Sequence, residues 1–205
     1  MSDLSAESLL KRINAIANRI KEIGGEVEME YEGPASDAQM RELPIGTPPL
    51  IVELIKNHHS GFFGWNLEGK NDDFPCLSTL GNGGRVYWNA SVYEVDRNDY
   101  WWADEDEAED NGIDWRPALS VLTALNGDMI LSVIENGEVM LFSHDDPDSY
   151  NNIIAKDFAS FMDLWSRLGF PWFELPDFCD FINQETGLLD PALEKFKKVA
   201  AELRI

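Results

Sequence analysis

The chain has 205 residues, 44% of them apolar and 11% aromatic. That is enough to bury a single globular core, and too rich in large side chains for a disordered segment. Its net charge of −22 opposes binding to nucleic acid and to anionic membranes; it either serves solubility alone or attracts a basic partner, whose approach it would speed most at low salt.

In chain order, residues 5–23 place Leu9, Ile13, Ile16, Ile20 and Ile23 at helical steps before Gly24-Gly25, which predicts an amphipathic helix. Residues 26–32 alternate strictly. Glu26, Glu28, Glu30 and Glu32 fall on one face, and Val27, Met29 and Tyr31 on the other. This is a half-buried strand with a wholly acidic outer face, ended by Gly33-Pro34. A second helix is expected from Thr47 as N-cap and Pro48 at the first helical position, with Leu50, Ile51, Leu54 and Ile55 as its apolar stripe. Residues 62–67 and 85–88 read as short strands, with a loop or long hairpin over 69–85. Residues 91–102 read as a helix ending in Tyr100-Trp101-Trp102, followed by a solvated acidic block over 103–114.

Residues 119–165 hold three apolar runs separated by Asn126-Gly127 and Asn136-Gly137. Each pair suits a type I′ turn, whose two central residues need positive φ, so a three-stranded antiparallel meander is predicted. A short acidic loop follows, then a helix with Ile154, Phe158, Phe161 and Trp165 at helical spacing. Beyond it lie an aromatic-rich stretch, Phe170 to Ile182, and a final helix capped by Asp190-Pro191 with Leu193, Phe196, Val199 and Ala200 inward. With neither internal repeat nor linker, the simplest account is one α+β domain over residues 1–205 with a C-terminal helical extension over 170–205.

Chemical motifs are scarce. Cys76 and Cys179 lack metal or disulfide-scaffold spacing and fit a reducing compartment. His58 and His59 are adjacent and diverge by about 100° in a helix, so they do not share a metal. His144-Asp145-Asp146 reads as a capped turn. An EF-hand aligned on Gly112 fails because its twelfth position is Ala118. Gly81-Asn82-Gly83-Gly84 lacks the Lys-Ser/Thr of a phosphate loop, and there is no GxSxG elbow. No catalytic, metal or cofactor-binding residue is assigned, and a non-enzymatic protein is expected. Basic residues cluster in the two terminal helices, where they serve solubility and the helix dipole better than phosphate binding. Without a signal peptide or a run of roughly 18 apolar residues, the expected location is cytoplasmic, away from membranes.

One constellation stands out. Tyr100, Trp101 and Trp102 precede Asp104, Glu105, Asp106, Glu107, Glu109, Asp110 and Asp114. Either the aromatics are core and the acids a solvated loop, or together they dock on a basic cleft, with Trp65 as a further apolar anchor. The net charge favours the second reading.

The order of strand, turn, strand, turn, strand, His-Asp loop and helix resembles the core of the SUKH superfamily, which includes bacterial immunity proteins and regulators of fungal cell-wall synthesis. Leu43-Pro44 before the helix at 47–57 and Phe62 to Asn66 after it match the family pattern. So do Gly127-Asp128 and Gly137-Glu138-Val139 in the meander turns, and Ala155 to Phe161 in the "iAxSFxxFL" position, where Asp157 replaces the usual Ser. The resemblance covers about residues 40–168, leaving out 170–205 and the insertion at 96–114. It implies a twisted, largely antiparallel sheet with helices packed around it. It also implies a non-enzymatic immunity protein that neutralises a basic toxin domain, commonly a nuclease, by steric and electrostatic blocking. The alternatives are a regulatory protein-binding scaffold of the fungal type and a small-ligand protein, which would need a deep pocket with convergent polar groups.

Overall fold

The apolar spacing of the leading segment becomes a helix, α1 (Ala6–Glu22), whose Leu9, Ile13, Ile16 and Ile20 are fully buried. The computed structural model describes residues 4–69, 73–78, 80, 83–96, 99, 115–123, 128–143, 152–171 and 180–204. Ser5 caps α1 by accepting from the Ser8 amide at 3.2 Å, and Arg19 and Lys21 lie in its last turn, where the dipole favours cations. After the Gly24-Gly25 reversal comes β1 (Glu26–Tyr31), exposed at each glutamate and half-buried between them. β1 pairs antiparallel with β2 (Ser60–Asn66), and β2 pairs with β3 (Gly83–Asn89), giving a three-stranded sheet.

Two helices separate β1 from β2. The short α2 (Asp37–Glu42) opens on a capping box between Ser36 and Gln39. In α3 (Pro49–Asn57), Leu50, Ile51, Leu54 and Ile55 are buried as expected. Its start differs from the sequence reading: Pro48 is the N-cap and Pro49 the first helical residue. The Thr47 hydroxyl turns back to the Pro44 carbonyl at 2.7 Å, so it caps nothing. A single helical turn, α4 (Pro75–Ser78), forms within the stretch read as loop.

The predicted meander is present and is extended at both edges. The order is β4 (Tyr93–Glu94), β5 (Ala118–Thr123), β6 (Met129–Val133), β7 (Val139–Phe142) and β8 (Ile153–Ala155), all antiparallel. Three local expectations change. Tyr93 and Glu94, expected in a helix, pair with Ser120 and Leu119, because a sheet edge offers backbone partners that helix propensity does not outweigh. Ile154, expected on the following helix, lies in β8, where Ala155 and Ile153 face Val139 and Met140. The turn at Asn136-Gly137 is not type I′: Gly137 alone takes positive φ, at 76°. Its amide bonds the Val133 carbonyl at 2.8 Å, and the Asn136 side chain accepts from the Glu138 amide at 3.0 Å, so the strands are joined by five residues, 134–138, and not by a two-residue turn. Asn126-Gly127 lies outside the described residues.

α5 (Phe158–Arg167) is capped by Asp157, which accepts from the Ser160 amide at 2.8 Å. Asp thus performs the capping for which Ser is equally suited. The last helix, α6 (Glu194–Leu203), begins beyond Asp190-Pro191 with Leu193 as N-cap. The Asp190 carboxylate accepts from Ala192 N at 2.7 Å and Asn183 Nδ2 at 2.8 Å, closing a turn ahead of the helix. These two bonds hold its carboxyl below the usual range.

The architecture is α+β, with helices against antiparallel sheets and a helix at the C-terminal end. The antiparallel strands are divided between a three-stranded and a five-stranded sheet. One buried cluster joins α1, α3, the inner faces of both sheets, α5 and α6. It contains Phe181, Phe196, Val199 and Leu203, so the C-terminal extension is part of the main core. The other face of the five-stranded sheet carries a second cluster, including Met129, Leu131, Met140 and Phe142. β6 and β7 are therefore buried on both faces, which their continuous apolar sequence accommodates. Among the described residues no helix is long and apolar enough to cross a membrane.

Candidate partner-binding surface

Strand alternation on β1 sends Glu26, Glu28 and Glu30 outward, away from the core. Pairing then sets beside each glutamate a residue of β2 and one of β3. Glu26 faces Asn66 and Gly83, Glu28 faces Gly64 and Arg85, and Glu30 faces Phe62 and Tyr87. The Phe62 ring lies over Gly64, where an added Cβ would sit 2.8 Å from its tip. Tyr87 is 46% exposed, and its hydroxyl accepts from Asn89 Nδ2 at 3.0 Å. These rows enclose an open cleft of about 570 Å³ lined by Glu26, Glu28, Phe62, Gly64, Asn66 and Arg85.

The three glutamates are exposed, and among the described residues they form no ion pair. Glu32, the fourth of the alternating acids, differs. Its carboxylate accepts from Ser60 Oγ at 2.6 Å and lies 2.7 Å from His59 Nε2. His59 Nδ1 is 2.9 Å from the Gly33 carbonyl, and His58 Nδ1 is 2.9 Å from the Glu32 carbonyl. The two histidines thus clasp the end of β1 at separate points. Among the described residues no group of three His, Cys, Asp or Glu side chains is placed to hold a metal ion.

A second cavity, of about 370 Å³, lies between the start of α3 and the start of α5, with Leu4, Pro48, Leu50 and Phe158 on its apolar walls. Its two carboxylates already serve helix ends: Glu53 accepts from the Ala6 amide at 3.1 Å, and Asp157 caps α5. It therefore offers little polar chemistry for fixing a ligand.

Trp65, expected to serve as an apolar anchor, is 5% exposed. Its indole N–H donates to the Gly169 carbonyl at 2.6 Å, tying β2 to the turn after α5. This corrects its assignment as an exposed anchor: its side chain is inside because it alternates with Gly64 and Asn66, which face outward. Tyr100, Trp101, Trp102 and the acids from Asp104 to Asp114 lie outside the described residues, as does His144-Asp145-Asp146.

Phe62, Arg85 and Tyr87 were not anticipated as companions of the acidic row. The row itself was legible from alternation, but only sheet pairing across long sequence separations brings the other two strands beside it. Compared with family models, curated proteins and solved structures, the chain matches none.

Proposed function

We propose that this protein is a non-enzymatic binding protein that takes a basic protein partner on the outer face of β1, β2 and β3. The observation that carries this reading is the row Glu26, Glu28 and Glu30, exposed and forming no ion pair among the described residues, beside Phe62 and Tyr87 on a chain of net charge −22. Unneutralised acids steer a cationic surface into encounter, and aromatic groups beside them give it apolar contact on arrival. In keeping with the SUKH-like order of its elements, the partner proposed is a toxin domain with a basic, phosphate-binding cleft, such as a nuclease. The protein would neutralise it by covering that cleft and filling it with carboxylates. Tyr100, Trp101, Trp102 and the acids of 103–114 are proposed to add to the same attraction.

Co-expression with the product of the gene beside its own tests the proposal. The expected result is a stable complex and loss of the toxin's effect on growth. Association of that complex should slow by about tenfold or more at low salt in a Glu26→Lys/Glu28→Lys/Glu30→Lys variant, with a flatter salt dependence. Charge reversal across Asp104 to Asp110 should act in the same direction. Association rates unchanged in both variants would sink the electrostatic mechanism.

A further inference from the structure

β1 is an edge strand of its sheet among the described residues. Glu32 donates its amide to the Ser60 carbonyl at 3.1 Å, which makes Glu32 and Ser60 a hydrogen-bonded pair. Counting back along the antiparallel register, Glu30, Glu28 and Glu26 also turn their backbone groups toward β2. Val27, Met29 and Tyr31 therefore direct their N–H and C=O groups the other way. Among the described residues no strand pairs with that side, since β1 ends the sheet order β1-β2-β3. Their side chains point inward and are only half-buried, leaving an apolar margin along the same edge.

The geometry points to strand addition at this edge. We infer that an extended segment of the basic partner, alternating Lys or Arg with apolar residues, docks along β1 as a fourth strand of the sheet. Its backbone would pair with Val27, Met29 and Tyr31. Its basic side chains would then stand on the outer face directly beside Glu26, Glu28 and Glu30, as opposite-charge cross-strand neighbours. Its apolar side chains would cover the half-buried margin of Val27, Met29 and Tyr31. A second copy of this chain is the wrong occupant, because two β1 edges brought together would set one glutamate row against the other. The inference rests on the basic-partner reading and specifies how that partner is held.

The probe is a synthetic peptide of alternating lysine and valine matched to the length of β1, with binding measured by calorimetry on the full chain. Two N-methylated versions separate strand addition from simple charge attraction. Methylating the amides that would face β1 should weaken binding by about tenfold or more, because those hydrogen bonds are lost. Methylating the alternate amides should leave it within about twofold. A peptide of alternating glutamate and valine should not bind. On the protein side, Met29→Pro removes an edge-facing donor while sparing the β1–β2 ladder, a position where a strand tolerates proline. It should lose binding that Met29→Ala retains.

Equal binding of the two methylated peptides would overturn strand addition, and so would a dimer of the free protein formed through β1. If the methylation pattern has no effect yet the neighbouring toxin still binds with charge-dependent rates, only the edge inference fails. If neither the toxin nor the lysine peptide binds, the basic-partner reading fails with it.

Discussion

At Tyr31 a phenol hydroxyl is buried without a hydrogen-bond partner among the described residues, while its ring packs 5.0 Å from His58 and 5.8 Å from Trp88 between centroids. The ring contacts are what β1 needs, and the hydroxyl adds a desolvation cost. Tyr31→Phe should therefore leave stability unchanged or raise it by about 1 kcal/mol, read from urea unfolding. Burial also pushes the Tyr31 phenol up. Its neutral form is favoured in the folded state, so that contribution to stability is present below the ordinary tyrosine range and is lost as pH rises through the raised value. Cys76 has the same sign. Burial first, then the Glu202 carboxylate, push its thiol up. In a Cys179→Ser background, alkylation of Cys76 should need a higher pH in the folded protein than in urea, followed by reaction rate against pH. Equal pH midpoints would contradict this placement.

The helices and strands follow local signals to different degrees. α1 and α3 form on the faces their apolar spacing marks, because their stripes meet one shared core. α5 depends on its cap. Asp157 bonds both the amide and the hydroxyl of Ser160, each at 2.8 Å. Asp157→Ala should cost about 1 kcal/mol, and Asp157→Ser should recover most of it, measured by thermal or urea unfolding. An equal loss in both variants would mean that packing, and not capping, fixes the start of α5. Elsewhere long-range pairing prevails. Tyr93, Glu94 and Ile154 sit in patterns that also suit a helix, and they become strands because β5 and β7 present open edges to them.

At the scale of the molecule, the C-terminal segment acts as a clamp. Glu202 on α6 receives the amides of Cys76 and Leu77 at 3.1 and 2.9 Å, closing the start of α4. The Glu202 carbonyl accepts from Arg19 Nε at 3.1 Å, joining α6 to α1. Phe196, Val199 and Leu203 fill the core beneath. Truncation before Glu194 removes these three buried side chains, worth about 1.5–3 kcal/mol each. That is a large share of the roughly 5–15 kcal/mol that stabilises a domain. The truncated chain is expected to lose cooperative unfolding or to melt far below the intact protein, as followed by circular dichroism. A truncated chain that melts like the full one would show that the extension is dispensable. A second tie should be costly too. Arg12 Nη1 reaches the Asp163 carbonyl, its carboxylate and Ser166 Oγ at 2.8, 2.9 and 2.7 Å, linking α1 to α5. The Asp163 carbonyl also accepts from Ser166 Oγ at 3.0 Å, so Arg12→Ala chiefly strips the Asp163 carboxylate and Ser166 Oγ of a charged donor, at a cost of about 1–3 kcal/mol read from urea unfolding.

The sequence by itself determined the α+β composition, the amphipathic helices, the acidic face of β1 and the meander of β5 to β7. The helices and β1 are written in a period of about 3.6 or two residues, and the meander in continuous apolar runs broken by Asn-Gly pairs, so local sequence suffices to read them. What only the tertiary structure decided is which strands lie side by side. Division into two sheets, the position of β1 at the end of the order β1-β2-β3, the placement of Phe62, Arg85 and Tyr87 beside the glutamates, and the inward turn of Trp65 all depend on contacts between residues far apart in sequence. Those contacts are chosen by the global burial of apolar surface, which no local period records. The charge of the chain thus pointed to a basic partner from the outset. Only the fold supplied a strand edge on which such a partner could be held.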